Sequence, residues 1–278
     1  MKKLSWLYSI LFMCFFISLN FGYGQSVGKV HTTLDRTIVP DIVSVIPAVS
    51  IYDAGNFDKF GYGKWHYGPG LPYQKRLDLM PAGYNFSSVS KAVSLLRFFT
   101  MTDVHITDKE SPAQAIFFAG WNLTAVSIYS PLMLYTTHVL NAAVKTINEL
   151  HKVKPFDLGL ALGDLANSTQ YNELRWFIDV MDGKKIKPNS GAQKEPLQDF
   201  QKEYEAAGLD KSIPWYAAVG NHDHFWLGSK QVNDKVRKVL VGDKILKLGN
   251  IFTDANAMNE DTYSVGTIDC SFPYGKII

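Results

Sequence analysis

The chain has 278 residues, 46% hydrophobic and 19% charged, which is enough apolar material for a large core and too much for a disordered or low-complexity chain. Its formal charge is +2, and Lys2 and Lys3 supply the whole excess, so residues 25–278 carry no net charge. That balance excludes a polyanionic nucleic acid as the expected partner.

Residues 1–24 begin with those lysines, run apolar from Leu4 to Leu19 and close on Gly22 and Gly24, the layout of a secretory signal peptide. Ser5, Ser9, Ser18 and Asn20 break the run, which falls short of the about 20 apolar residues a membrane span needs. Export to the periplasm or the cell exterior is expected, with no stable membrane span after cleavage. Cys14 would leave with the segment, and Cys270 would then have no partner for an internal disulfide.

Residues 25–94 read as a loop-rich leader, dense in Gly, Pro and Tyr, with short strands expected at 42–46 and 49–52. Its cluster of Tyr62, Trp65, His66, Tyr67 and Tyr73 suits aromatic packing of the leader on the main domain, with a sugar platform as the alternative. His31 and His66 read as surface or packing residues.

The main domain, 95–278, opens on an apolar run from Leu96 that ends in Asp103 and His105. On an extended backbone those two side chains would share a face while Val104 turns to the core. A helix is expected at 132–151, where Val139, Leu140, Ala143, Val144, Ile147 and Leu150 recur at helical spacing. The run FDLGLAL at 156–162 reads as a strand buried on both faces and ends in Gly163 and Asp164. A second helix at 170–181 would bury Leu174, Phe177, Ile178 and Met181, and Gly183 would stop it. Residues 184–212 read as a polar surface insertion with a helix around 197–207. A third strand at 215–219 ends in Gly220, Asn221, His222, Asp223 and His224, and a helix at 230–247 precedes a turn-rich tail. Alternating strands and helices predict an α/β fold with a parallel sheet, whose carboxyl-end crevice is where such folds build sites.

Asp103-x-His105, Gly163-Asp164 and Gly220-Asn221-His222-Asp223 stand in this order, each after an apolar strand. Over about 95–224 this combination resembles the calcineurin-like metallophosphoesterase superfamily, whose motif series begins D-x-H, G-D, G-N-H-D/E. The resemblance implies a four-layer α/β/β/α sandwich, of which the first βαβαβ half is present here. It implies two divalent or trivalent metal ions (Mn, Fe or Zn), with Asp103 and His105 on the first, Asp164 bridging both and Asn221 on the second. The activity implied is hydrolysis of a phosphomonoester or phosphodiester by a metal-bound hydroxide, the substrate being a small molecule, lipid or nucleotide. His222 would stabilise charge or protonate the leaving oxygen, and Asp223 would orient it. Asn167 and His224 lie beside the motifs as candidate substrate contacts, and the insertions at 109–131 and 184–212 would set selectivity.

The family series continues with a further His and a G-H-x-H, whereas no histidine follows His224 here. The first ion keeps three protein ligands and the second two. His31, His66, His138 and His151 could substitute, but none follows a predicted strand of this kind. The expectation is an amino-terminal part of a longer enzyme, weakly active or inactive by itself. The alternative is a non-catalytic secreted binding module on a degenerate phosphoesterase fold.

Overall fold

In the leader, β1 (Arg36–Pro40) pairs antiparallel with β2 (Trp65–Pro69), setting Ile38 opposite Tyr67 and Pro40 opposite Trp65. The Arg36 guanidinium lies 3.8 Å over the Tyr67 ring, and Trp65 meets Tyr67 edge-on at 5.2 Å. These aromatics were expected to glue the leader to the main domain. Trp65, Tyr67 and Tyr73 are instead exposed, and the first two pack on each other along β2. The computed structural model describes residues 30–41, 59, 64–85, 87, 91, 93–114, 131–191, 197, 199–240, 244–247, 264–269 and 276–277. The expected signal segment, the strands at 42–46 and 49–52, Tyr62, Cys270 and most of the insertion at 109–131 lie outside them.

The main domain is a mixed α/β unit around one parallel sheet. Strand β3 (Phe98–Met101) is followed by α1 (Thr136–Val153), β4 (Leu158–Ala161) and α2 (Tyr171–Asp182). A two-residue hairpin, β5 (Lys185–Ile186) with β6 (Tyr204–Glu205), then leads to β7 (Trp215–Ala217). The sheet order is β3-β4-β7, parallel throughout. Both crossovers step the same way along the sheet, so crossovers of one hand place both helices on one face, and α1 and α2 do contact each other.

That helix-covered face carries Phe99 and Met101 of β3, Gly159 and Ala161 of β4, and Trp215 of β7, which lie in register. Gly159 is small for a reason: a Cβ there would sit 2.2 Å from the Phe99 ring, which fills the space. The ring in turn meets Phe156 edge-on at 5.6 Å. The opposite face is open, with Leu96, Phe98, Leu162 and Tyr216 about half exposed or more. The expectation that 156–162 is buried on both faces is therefore corrected, because both helices lie on the same side.

Helix phases also differ from expectation. In α1 the buried residues are Thr137, Leu140, Asn141 and Val144, while Val139 is exposed. Asn141 Oδ1 and Asn148 Oδ1 accept the Ala207 and Asp210 N–H groups, which pins the loop before β7 to the helix. In α2 the buried stripe is Glu173, Trp176, Phe177 and Val180, with Met181, and Leu174 faces outward. Gly183 ends α2 in the left-handed region at φ 74°, as a helix stop requires.

The segment 184–212 contains no α-helix among the described residues and is docked rather than superficial. Lys109 Nζ donates to the Pro188 and Phe200 carbonyls at 2.6 and 2.8 Å, and burial pushes Lys109 down to about 8. After β7 come a single helical turn, α3 (Asn221–His224), and α4 (Asp234–Leu240). The expected helix to 247 ends at Leu240, and β8 (Lys244–Lys247) pairs antiparallel with β9 (Ser264–Asp269), which pairs with β10 (Lys276–Ile277). No helix among the described residues is long and apolar enough to cross a membrane.

Candidate metal centre

Strands β3 and β4 stop at Met101 and Ala161, but their chains stay together beyond the sheet. The Asp103 N–H donates to the Gly163 carbonyl at 3.2 Å, His105 N–H to Asp164 at 2.9 Å, and Ile106 N–H to Leu165 at 2.9 Å. These bonds bring the first two motifs side by side. The backbone there is not extended: Asp103, His105 and Asp164 have φ of 54°, 47° and 51°. The alternation expected for Asp103 and His105 is thus replaced by two left-handed residues, a conformation that costs an L-residue roughly 1–2 kcal/mol. Val104 packs on the core as expected.

The resulting donors gather around His105. His105 Nε2 lies 3.7 Å from Asp103 Oδ1 and 3.8 Å from Asp164 Oδ2, too far for hydrogen bonds. Two donors each about 2.1 Å from a shared cation stand at most about 4.2 Å apart, so His105 is placed to share an ion with either carboxylate, while Asp103 lies outside the three-residue group that closes within 4.8 Å. One ligand atom from each of His105, Asp164 and His222 falls within 4.8 Å of the others. His105 Nδ1 is buried without a hydrogen-bond partner among the described residues, and the ring is held by edge-to-face contact with His222, centroids 4.5 Å apart.

The third motif closes over Asp164. Asp164 Oδ1 accepts the His222 N–H at 2.8 Å. Gly220 has no room for a side chain, since a Cβ would lie 2.2 Å from Asp164 Oδ1 and 2.3 Å from the Asp164 nitrogen. Asn221 Nδ2 donates to the Gly228 carbonyl at 3.0 Å, which turns its Oδ1 into the end available for a cation. His222 Nδ1 lies 2.8 Å from the Asn167 carbonyl, an acceptor only, so Nδ1 carries the proton of the neutral ring. Asp223 does not orient His222. Its carboxylate accepts the Ala166 and Gly220 N–H groups, each at 2.8 Å, and ties the strand ends of β4 and β7 together. Orientation of His222 falls to the main-chain carbonyl of Asn167, whose side chain donates to Gln114. His224 is exposed, its ring beside Phe225.

Three of the other histidines are engaged elsewhere. His66 pairs with Asp41 at 2.7 Å, His138 stacks on Tyr204, and His151 accepts the Phe156 N–H at the end of α1. Among the described residues none of them joins the group formed by His105, Asp164 and His222.

Beneath the ligands lies a buried polar layer that periodicity did not point to. Glu173 Oε1 accepts the Asp108 N–H at 2.8 Å and Gln114 Nε2 at 2.7 Å, while Oε2 accepts the Ser168 N–H at 2.7 Å. Burial pushes Glu173 up to about 7 against the pull of these donors. Gln114 Oε1 accepts Asn167 Nδ2 at 2.6 Å. Gly228 was also missed; at φ 72° it brings its backbone against Asn221 and His222 where a Cβ would strike both. A signal for Glu173 existed, since a carboxylate three, four and seven residues before Trp176, Phe177 and Val180 sits on the apolar stripe.

No protein-family model, curated protein or solved structure matches the chain.

Proposed function

We propose that the chain is an exported metal-dependent phosphoesterase acting on a phosphomonoester or phosphodiester of a small molecule, lipid or nucleotide. The fold carrying it would be the first βαβαβ half of a calcineurin-like sandwich, whose second sheet would pack on the open face of β3-β4-β7. The observation that carries this reading is the gathering, at the carboxyl ends of three parallel strands, of ligand atoms of His105, Asp164 and His222 within 4.8 Å of one another, with His105 Nε2 bonded to neither carboxylate beside it. A group of donors built for one another would be hydrogen bonded; this one suits a cation.

Asp103, His105 and Asp164 would hold the first ion, and Asp164 with Asn221 would contribute to a second; Mn, Fe and Zn all suit nitrogen and oxygen donors of this kind. Bound cations would lower the pKa of water and neutralise phosphoryl oxygens. The chain's own contribution is orientation. With Nδ1 fixed on Asn167, His222 has Nε2 as the nitrogen able to hold or deliver a proton at a leaving oxygen. Asp223 keeps Gly220 and Ala166 in place, so the turn bearing Asn221 and His222 stays pressed on Asp164.

Calorimetric titration of the chain with Mn, Fe or Zn salts, alongside hydrolysis of an aryl phosphate and a bis-aryl phosphate, tests the reading. Metal binding lost in Asp164→Asn is expected, with weak or no turnover by this chain. No metal binding by the native chain, or binding that survives Asp164→Asn, would refute it, and turnover abolished by Asp164→Asn would set the binding-module alternative aside.

A further inference from the structure

Asn167 and Ser168 share one peptide group, and its two ends meet different acidic and basic partners. The N–H of Ser168 donates to Glu173 Oε2 at 2.7 Å, and the C=O of Asn167 accepts from His222 Nδ1 at 2.8 Å. A peptide group is planar, with its N–H and C=O pointing in opposite directions, so fixing one end aims the other. A carboxylate on the N–H also polarises the group and makes its carbonyl a stronger acceptor. We infer that Glu173 is a positioning residue for His222, acting through the Asn167–Ser168 peptide, an inference that rests on the phosphoesterase reading for its catalytic meaning.

The surroundings suit that task better than a purely structural one. Glu173 is fully buried on α2, and every neighbour bonded to it is a donor: the Asp108 and Ser168 N–H groups and the Gln114 and Gln170 amides. The peptide cannot rotate away, because the Asn167 N–H is held by the Ile106 carbonyl at 3.0 Å and the Asn167 side chain by Gln114. The Thr169 N–H donates back to the His222 carbonyl at 3.1 Å, so the same loop grips the residue it aims. Nothing in the arrangement requires a bound ion, and the link exists in the chain alone.

Long-range proton–nitrogen NMR of the full chain, at a pH of about 8.5 where Glu173 is ionised, reads the link directly. In the native protein His222 is expected to carry its proton on Nδ1, with the Ser168 amide proton well downfield of ordinary amides. In Glu173→Gln the Ser168 signal should move upfield, and the His222 Nδ1 proton should exchange with water at least about ten-fold faster. Gln114→Met loosens the loop but leaves the Glu173 carboxylate on the Ser168 N–H, and should speed that exchange less than Glu173→Gln does. An unchanged Nδ1 proton in folded Glu173→Gln, a larger effect in Gln114→Met, or a native His222 protonated on Nε2 would overturn the inference. Should Glu173→Gln not fold, the native spectrum decides, since an ordinary Ser168 amide shift is incompatible with the link. Metal titration is a separate arm: a native chain that binds no metal yet shows the full signature refutes the phosphoesterase reading and supports the link.

Discussion

The ligand rim and the buried layer under it solve opposite problems with similar residues. At the rim, Asp103, His105 and Asp164 sit in left-handed backbone, and their facing donor atoms stand 3.7 and 3.8 Å apart without bonding. Underneath, Glu173 and Gln114 have almost no exposure and are bonded on both ends of their head groups. Donors that satisfy one another have nothing left for a cation. The difference therefore separates side chains with faces left unbonded from side chains engaged on both ends, and under the proposed function the first would bind and the second would position.

Removing a rim donor should have the largest effect, and on binding more than on folding. Asp164→Asn keeps shape but loses charge at the residue shared by both proposed sites, and metal affinity measured by calorimetry should fall by at least about 100-fold. Unaltered affinity would move the metal site elsewhere. Next comes the contact that joins rim to third motif. In Gly220→Ala the new methyl meets Asp164 at 2.2 and 2.3 Å, too close for any side-chain adjustment because one of those atoms is backbone. A stability loss of about 3 kcal/mol in urea unfolding is expected, with loss of metal binding. A variant with native stability would mean that the third motif can lift off Asp164 freely.

How much of this was legible follows the same division. Asp103, His105, Asp164, Asn221 and His222 are visible because ligand-type residues at the ends of apolar runs stand out against the runs, and the parallel sheet follows from strand and helix alternation. The backbone that makes the site is not visible. Left-handed φ at three non-glycine residues comes from pairing between loops more than fifty residues apart, which no local pattern encodes. Asp223 resembled an orienting partner by proximity in sequence, yet its carboxylate faces the Ala166 and Gly220 N–H groups. Glu173 escaped because apolar periodicity counts apolar residues, and the stripe of α2 was phased on Leu174 when a carboxylate occupied the buried position beside it. The helix expected at 230–247 ran past Leu240 because the strand pairing of Lys244–Lys247 depends on a partner about twenty residues later.

The buried layer predicts a pH dependence. Burial raises Glu173 from its ordinary 4.5 to about 7, so between those values the unfolded chain ionises while the folded one stays protonated. The folded state then binds more protons, and the contribution of Glu173 to stability is full below 4.5 and lost as pH rises to about 7. The loss is on the order of 3 kcal/mol. Unfolding midpoints from pH 4.5 to 8 should show native stability falling relative to Glu173→Gln over that interval and flat above it. A constant difference would place the ionisation of Glu173 outside this range.

The smallest effect tests whether the rim is strained at all, through the sign of a single substitution. Asp103 has φ 54° and a well-exposed side chain whose hydrogen bond is to its neighbour Thr102. Glycine adopts that conformation without the left-handed penalty of roughly 1–2 kcal/mol, which aspartate feels less than most residues. Against this, glycine gains freedom in the unfolded chain, worth about 0.5–1 kcal/mol. The two nearly offset, so Asp103→Gly should be neutral or stabilising by up to about 1 kcal/mol in urea unfolding while metal affinity falls. The same truncation in the layer, Gln114→Ala, should destabilise by about 1–3 kcal/mol, because it strips a donor from Glu173 and an acceptor from Asn167. Opposite signs at two polar residues of one site would separate the part that bears strain from the part that contains it. A comparable loss at both would mean that Asp103 is a structural turn residue whose carboxylate happens to face His105.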